Sequence, residues 1–361
     1  MLSLTRQKKT GPVVGLDIEA GSIAATEVES NGSITVSASA IGPLEPGAFH
    51  EGEVLDGDRL SSALKSLFAD HKLGKRVRIG VGNQRVVVRT LRMPAIEDPK
   101  EMDAAIRFQA QEQIPMPFDQ AVLEHQIVGG AVAEEGGAPQ VDVVVVAARR
   151  DMVKSFVEPI RRAGLEPVGM DLAAFGMIRA LAGGHVGEDA VEPGAQPSST
   201  VLYCSVGDVT NLAVARGRTC LFNRVSHAGL ETISARLAST CGLSAEHATQ
   251  WLNHVALELP VEQLEGDPET IAEARRSLED GVASLADELR LSLDYYGAQE
   301  AAQPVERIVL CGPGSAIAGL AARMEAGLGL PITVARPSAL ESFEPSEAAR
   351  LTLPYGLALE D

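Results

Sequence analysis

Residues 13–28 (VVGLDIEAGSIAATEV) and 201–214 (VLYCSVGDVTNLAV) are two versions of one pattern: an apolar strand, a tight small-residue turn and an apolar return strand. Aligned on Asp17 and Ser205, each has a glycine-containing turn followed by a hydroxyl, Ser22 in one and Thr210 in the other. One copy in each half limits the chain to folds built by duplication. Two such hairpins can also grip a polyphosphate from both sides, because small residues let backbone N–H groups approach and a carboxylate can orient Mg²⁺. Either hairpin alone is ordinary sheet chemistry; the repetition carries the idea of a two-lobed nucleotide clamp.

The surroundings of the two hairpins repeat as well. Residues 33–40 read as a third strand, 58–68 as a helix through Leu60, Leu64 and Leu67, and 77–81 and 86–91 as further strands. The second half has strands at 201–205, 209–215 and 219–225, so the class is mixed α/β with an architectural duplication. Between the repeats, residues 99–113 form an amphipathic helix, Ile114-Pro115-Met116-Pro117 breaks it, and strands at 122–128 and 141–147 and a helix at 151–163 complete a small insert. A helix follows from about 171 to 181, with Asp171 as its N-cap. Residues 183–199, rich in Gly, Pro, Glu and Ser, read as a loop or hinge. Residues 269–296 are one long, one-sided helix. A strand at 307–310 runs into Cys311-Gly312-Pro313-Gly314-Ser315 and a helix through Ile317, Leu320 and Met324, an arrangement that would offer a helix N-terminus to a ligand.

Composition removes several classes of function. A formal net charge of −18 argues against a polyanionic partner, so no nucleic acid is expected. With 45% hydrophobic residues the chain can bury sizeable cores. Cys204, Cys220, Cys241 and Cys311 form no CxxC pair and read as reduced core residues. The first residues carry Lys8 and Lys9 but lead into no apolar signal core, so residues 1–11 read as a flexible tail. The most apolar run, 141–148, contains Asp142 and falls far short of the ~20 residues of a membrane span.

The chain resembles the actin-like ATPase superfamily and, within it, the PilM family of type IV pilus assembly proteins, relatives of the FtsA family. VVGLDIEAGSI resembles the first phosphate motif, SVGDVTNLAV the second, and VLCGPGSAIAGL the adenosine motif. The insert EMDAAIRFQAQEQIPMPFDQAVLEHQIV and the ending LTLPYGLAL are similar to the PilM insert and closing helix. The resemblance implies two lobes and four subdomains: ribonuclease-H-like cores at 12–92 with 166–183 and at 200–228 with 300–361, an FtsA/PilM-type insert at 93–165, a hinge at 184–199 and a helix-rich subdomain at 229–299.

It also implies ATP and Mg²⁺ as ligands, with Asp17, Gly21, Ser22, Ser205, Gly207, Asp208, Thr210, Gly312, Gly314 and Ser315 around the nucleotide and Asp17 on the metal. Three departures bear on the chemistry. Glu19 stands where the family has Gly, Ser205 where it has the second-loop Asp, and Pro313 where a second Gly is common. A carboxylate at 19 repels phosphate unless it faces away or holds metal, the loss of the Asp removes a charge that would orient metal or water, and Pro313 fixes one φ and removes a donor. Asp208 could stand in for the missing carboxylate or be a plain turn residue. Nucleotide binding with weak or absent ATPase activity is therefore expected.

The role implied by the resemblance is that of a cytoplasmic adaptor, peripheral to the inner face of the cell membrane through a partner. It would bind the N-terminal tail of a PilN-type protein and further pilus assembly components, with a homo-oligomer also possible. Its peptide groove would involve Pro94, Ile106, Phe108, Ile114, Pro115 and Phe118. The acidic ending lacks the basic amphipathic helix that tethers FtsA to lipid. Two alternatives stay open: a small-molecule kinase of the same superfamily and an FtsA-like filament former.

Overall fold

The structure, a computed structural model, describes residues 11–30, 34–132, 139–182, 199–299 and 302–359. The expected tail, apart from Gly11, and nearly all of the expected 184–199 hinge lie outside these residues.

Apolar side chains line β1 (Val14–Glu19), which folds back through a short turn onto β2 (Ser22–Ser30) and then β3 (Ile34–Pro43). Two short strands, β4 (Phe49–His50) and β5 (Glu53–Val54), precede α1 (Gly57–His71). The Asp56 carboxylate caps that helix by accepting from the amides of Asp58 and Arg59. Strand β6 (Arg76–Val81) then pairs parallel to β1.

The chain next builds a separate compact unit, Asn83–Glu158. It contains β7 (Val86–Pro94), α2 (Pro99–Gln113), β8 (Ala121–Val132), β9 (Gln140–Arg149) and most of α3 (Arg150–Arg162). Its sheet has the order β7-β9-β8, and Leu91, Met93, Met102, Ile106, Val143 and Val145 share its core. The unit begins at Asn83 rather than at the expected 93 because β7 pairs along its whole length with β9.

The remaining elements belong to the first unit. After β10 (Glu166–Leu172) and α4 (Ala173–Leu181) come β11 (Thr200–Val206), β12 (Thr210–Arg216) and β13 (Thr219–Ser226). Helices α5 (Leu230–Cys241), α6 (Ala245–Val255) and α7 (Pro268–Gly297) follow, then β14 (Val305–Cys311), α8 (Leu320–Leu328), β15 (Ile332–Val334) and α9 (Pro345–Ala358).

The two five-stranded sheets have the same plan: β3-β2-β1-β6-β10 in one and β13-β12-β11-β14-β15 in the other. In each, three strands meander antiparallel and two more add on parallel. The duplication read from the hairpins thus extends to the whole sheet. Ile271, Leu278, Val282, Leu285 and Leu289 on the long helix pack with Leu202, Leu212 and Leu310 of the second sheet.

Helix α9 is buried along most of its length. A Cβ at Gly15 of β1 would overlap the Pro354 carbonyl, and one at Gly356 would overlap the Gly176 carbonyl of α4. Both glycines are needed because backbone lies against backbone there.

Two local expectations change. Asp171 is not a helix cap: it lies in β10 and pairs with Arg179, while Leu172 occupies the cap position of α4 with no side-chain bond. The turn after β14 does not open α8 directly. Residues Pro313–Ala316 form a 3-10 turn closed by the Ser315 amide on the Gly312 carbonyl, and α8 starts only after Gly319.

Candidate functional site

The two hairpin turns face each other. Glu19 pairs with Ser22, leaving Ala20-Gly21 as a two-residue turn; Val206 pairs with Thr210, leaving Gly207-Asp208-Val209. The Ala20 amide donates to the Asp208 carboxylate, and the two residues, 188 apart, hold the same place in their hairpins. Glu19 and Gly207 are matched in the same way and also touch, since a Cβ at Gly207 would overlap Glu19 Oε1. Gly21 is at the open tip of its turn, with no atom near where a Cβ would point.

Into this junction α9 delivers Arg350, whose side chain is 8% exposed. Its guanidinium pairs with Asp17, lies 3.2 Å from Glu19 Oε2, and donates to Ser22 Oγ at 3.1 Å. Sequence reading missed this residue, although it is the only cation in the closing helix. Burial pushes the Glu19 carboxyl well above the ordinary carboxylate range; Arg350 opposes that shift, while Asp208 and Asp17 add to it. Burial likewise raises Asp208, against the lowering effect of the Ala20 amide.

A second link joins the same halves of this unit. His50 Nδ1 is 2.7 Å from Glu231 Oε1, the Glu51 amide donates to Glu231 Oε2 at 3.3 Å, and His227 Nδ1 is 3.1 Å from Glu51. The hydrogen bond to Glu231 raises His50 above its ordinary value.

The other expected ligands have structural partners. Thr210 Oγ1 donates to the Ala228 carbonyl at 2.6 Å, and Ser315 Oγ donates to the Gly312 carbonyl at 2.7 Å. Ser205 is buried and hydrogen-bonded to the Cys311 side chain. Gly312 has φ 76° and a Cβ there would come within 2.5 Å of Ser205 Oγ; Gly314 lies as close to Val206 Cγ1. The Gly312–Ser315 turn therefore packs on the end of β11, beside the second hairpin turn. The four cysteines are free, and burial pushes the thiols of Cys204, Cys220 and Cys311 up, which fits inert core groups.

The Gly207 turn and the Gly312–Ser315 turn lie together at the end of β11, and small residues with backbone N–H groups are the chemistry that a nucleotide would use. The acids do not fit Mg²⁺ in this arrangement: Asp17 is engaged by Arg350, and among the described residues no group of three His, Cys, Asp or Glu is placed to hold a metal.

In the insert, the expected groove residues divide. Ile106 and Ile114 are core, so neither can line a groove; their aliphatic side chains pack with Met102 and Leu123. Phe118 is half-buried against that core. Pro94 and Pro115 are exposed, and Phe108 is 72% exposed on α2.

Known proteins share this fold. A solved structure described as the PilM-PilN type IV pilus biogenesis complex matches with a TM-score of 0.78 and 26% identity, over 96% of this chain and 98% of that one. The ethanolamine utilization protein EutJ from Carboxydothermus hydrogenoformans matches with a TM-score of 0.54 and 15% identity, covering 98% of this chain and 90% of its own. MreB 5 of Spiroplasma citri bound to AMPPNP gives 0.52 and 13%, covering 97% and 95%. The last two establish the fold, which is actin-like. The family model for type IV pilus assembly protein PilM matches residues 15–360. On that match, which runs from the first hairpin through the closing helix, the chain belongs to the PilM family of type IV pilus assembly proteins.

Proposed function

We propose that this protein is an actin-like adaptor of type IV pilus assembly that captures the N-terminal tail of a PilN-type inner-membrane protein at the cytoplasmic face of the membrane. The observation that carries this reading is the likeness, over 96% of the chain, to a structure described as a PilM-PilN complex. No helix among the described residues is long and apolar enough to cross a membrane, so attachment through the partner suits the chain. Phe108 is the natural anchor for such a tail: an exposed aromatic ring on a helix fixed by its buried face. The net charge of −18 would steer a basic tail, helping its on-rate more than its affinity.

Nucleotide, in this reading, enters the cleft between the two hairpins, with its base against the Gly312–Ser315 turn and its phosphates near Ser22 and Gly207. Ser205 leaves the second loop without a carboxylate at that position, so turnover is slow or absent. Calorimetric titration of the full chain with a PilN-type tail peptide and with Mg-ATP, separately and together, tests the proposal. Micromolar peptide binding is the supporting result; no peptide binding at millimolar concentration overturns the adaptor role.

A further inference from the structure

Arg350 and Asp208 occupy the junction of the two phosphate turns with opposite charges, and each is held by backbone or side-chain groups of the first hairpin. We propose that they form an internal latch that competes with nucleotide. In it the Asp208 carboxylate takes the position of a phosphate oxygen on the Ala20 amide, and the Arg350 guanidinium takes the position of the metal cation beside Asp17 and Glu19. This rests on the cleft being the nucleotide site, as proposed above, and changes the role of Asp208 there from ligand to competitor.

Three observations converge on it. A backbone N–H of a phosphate turn is the donor that an anion would use, and here the protein's own anion uses it. Asp17, the candidate metal carboxylate, is neutralised by a guanidinium that is itself buried, so a divalent ion gains little there. Glu19, which stands in the place of a family glycine, completes the arrangement: it lies 3.2 Å from Arg350 and against the Gly207 backbone, where a bare turn would leave room for phosphate. An incoming triphosphate meets the Asp208 carboxylate, which it must displace from the Ala20 amide, and the buried Glu19 side chain, which fills the space against Gly207. The latch thus joins the two hairpins with the Ala20 amide and the Arg350 guanidinium already engaged.

The sign of one substitution separates the two roles. Asp208→Asn keeps the shape and an acceptor for the Ala20 amide but removes the charge. With Mg-ATP as the probe in calorimetry on the full chain, the latch predicts at least about tenfold tighter binding by Asp208→Asn than by the native protein. Asp208→Ala, which removes the acceptor as well, should shift affinity the same way. Unchanged or weaker affinity in both variants overturns the proposal, because a metal or phosphate ligand would be lost. Absence of Mg-ATP binding to native and variant proteins at millimolar concentration also overturns it, since nothing would then be competed. Titration of the same samples with the PilN-type peptide keeps the adaptor reading separate: its failure would leave the ratio between variant and native affinities intact as a measure of the latch.

Discussion

Arg350 and Asp17, 333 residues apart in the sequence, form a buried ion pair that ties the closing helix to the first strand. Removing one partner of such a pair leaves an uncompensated charge, which typically costs about 3–5 kcal/mol. Arg350→Met should lower stability by that order in urea denaturation. Asp17→Asn combined with Arg350→Met should cost clearly less than the two single changes added together. Strict additivity would show that the pair is not coupled.

The backbone contact of β1 with α9 predicts a contrast between two glycines of one hairpin. Gly15→Ala drives a methyl into the Pro354 carbonyl and should cost several kcal/mol, in the range of severe overpacking, ~3 kcal/mol or more. Gly21→Ala meets nothing at the turn tip and should change stability by no more than ~0.5 kcal/mol. Equal midpoints for the two variants would contradict the close approach.

Glu19 provides a pH dependence. Its carboxyl is held above its ordinary value by burial, opposed by Arg350 and reinforced by Asp208 and Asp17. A group raised in this way contributes stability below its unfolded value and loses it as the pH rises through the folded one. Glu19→Gln keeps a neutral, hydrogen-bonding side chain at every pH. Its unfolding free energy should therefore draw ahead of the native protein's as the pH is raised from about 5 to about 8, by on the order of 2 kcal/mol. Parallel curves across that range would remove Glu19 as the cause.

On the insert, Ile106 and Phe108 are two residues apart on α2 with opposite exposure. Ile106→Ala should destabilise the protein by about 2–5 kcal/mol through the cavity it leaves. Phe108→Ala should leave the melting curve in place while weakening capture of a PilN-type tail at least about tenfold, as expected for an aromatic anchor. Retained peptide affinity in Phe108→Ala would move the binding surface elsewhere.

Elements whose cause is local were legible in the sequence. The hairpins around Asp17 and Ser205, the long α7 stripe and the Pro-initiated α2 follow from periodicity and turn chemistry, and the structure has them. Boundaries set by pairing were not: β7 looks like any short apolar strand, and only its ladder with β9 assigns it to the insert. Asp171 illustrates the same limit, because a cap and an ion-pair partner look alike until Arg179 is brought beside it. The turns that meet at the junction, with Ser22, Gly207 and Asp208, were legible as turns; their contact with each other was not. Arg350, Glu231 and His50 come from distant segments and gain their place only through tertiary packing.

The matched positions of the two turns carry different chemistry in the two halves. Two identical halves would carry the same residue at position 20 and its counterpart, and at position 19 and its counterpart. Here one copy offers the Ala20 amide and the other the Asp208 carboxylate; one offers the Glu19 side chain and the other the bare Gly207 backbone. That division of roles rests on different residues standing at matched positions of the two hairpins. The junction of this duplicated fold is therefore asymmetric in its chemistry although the two sheets share one plan.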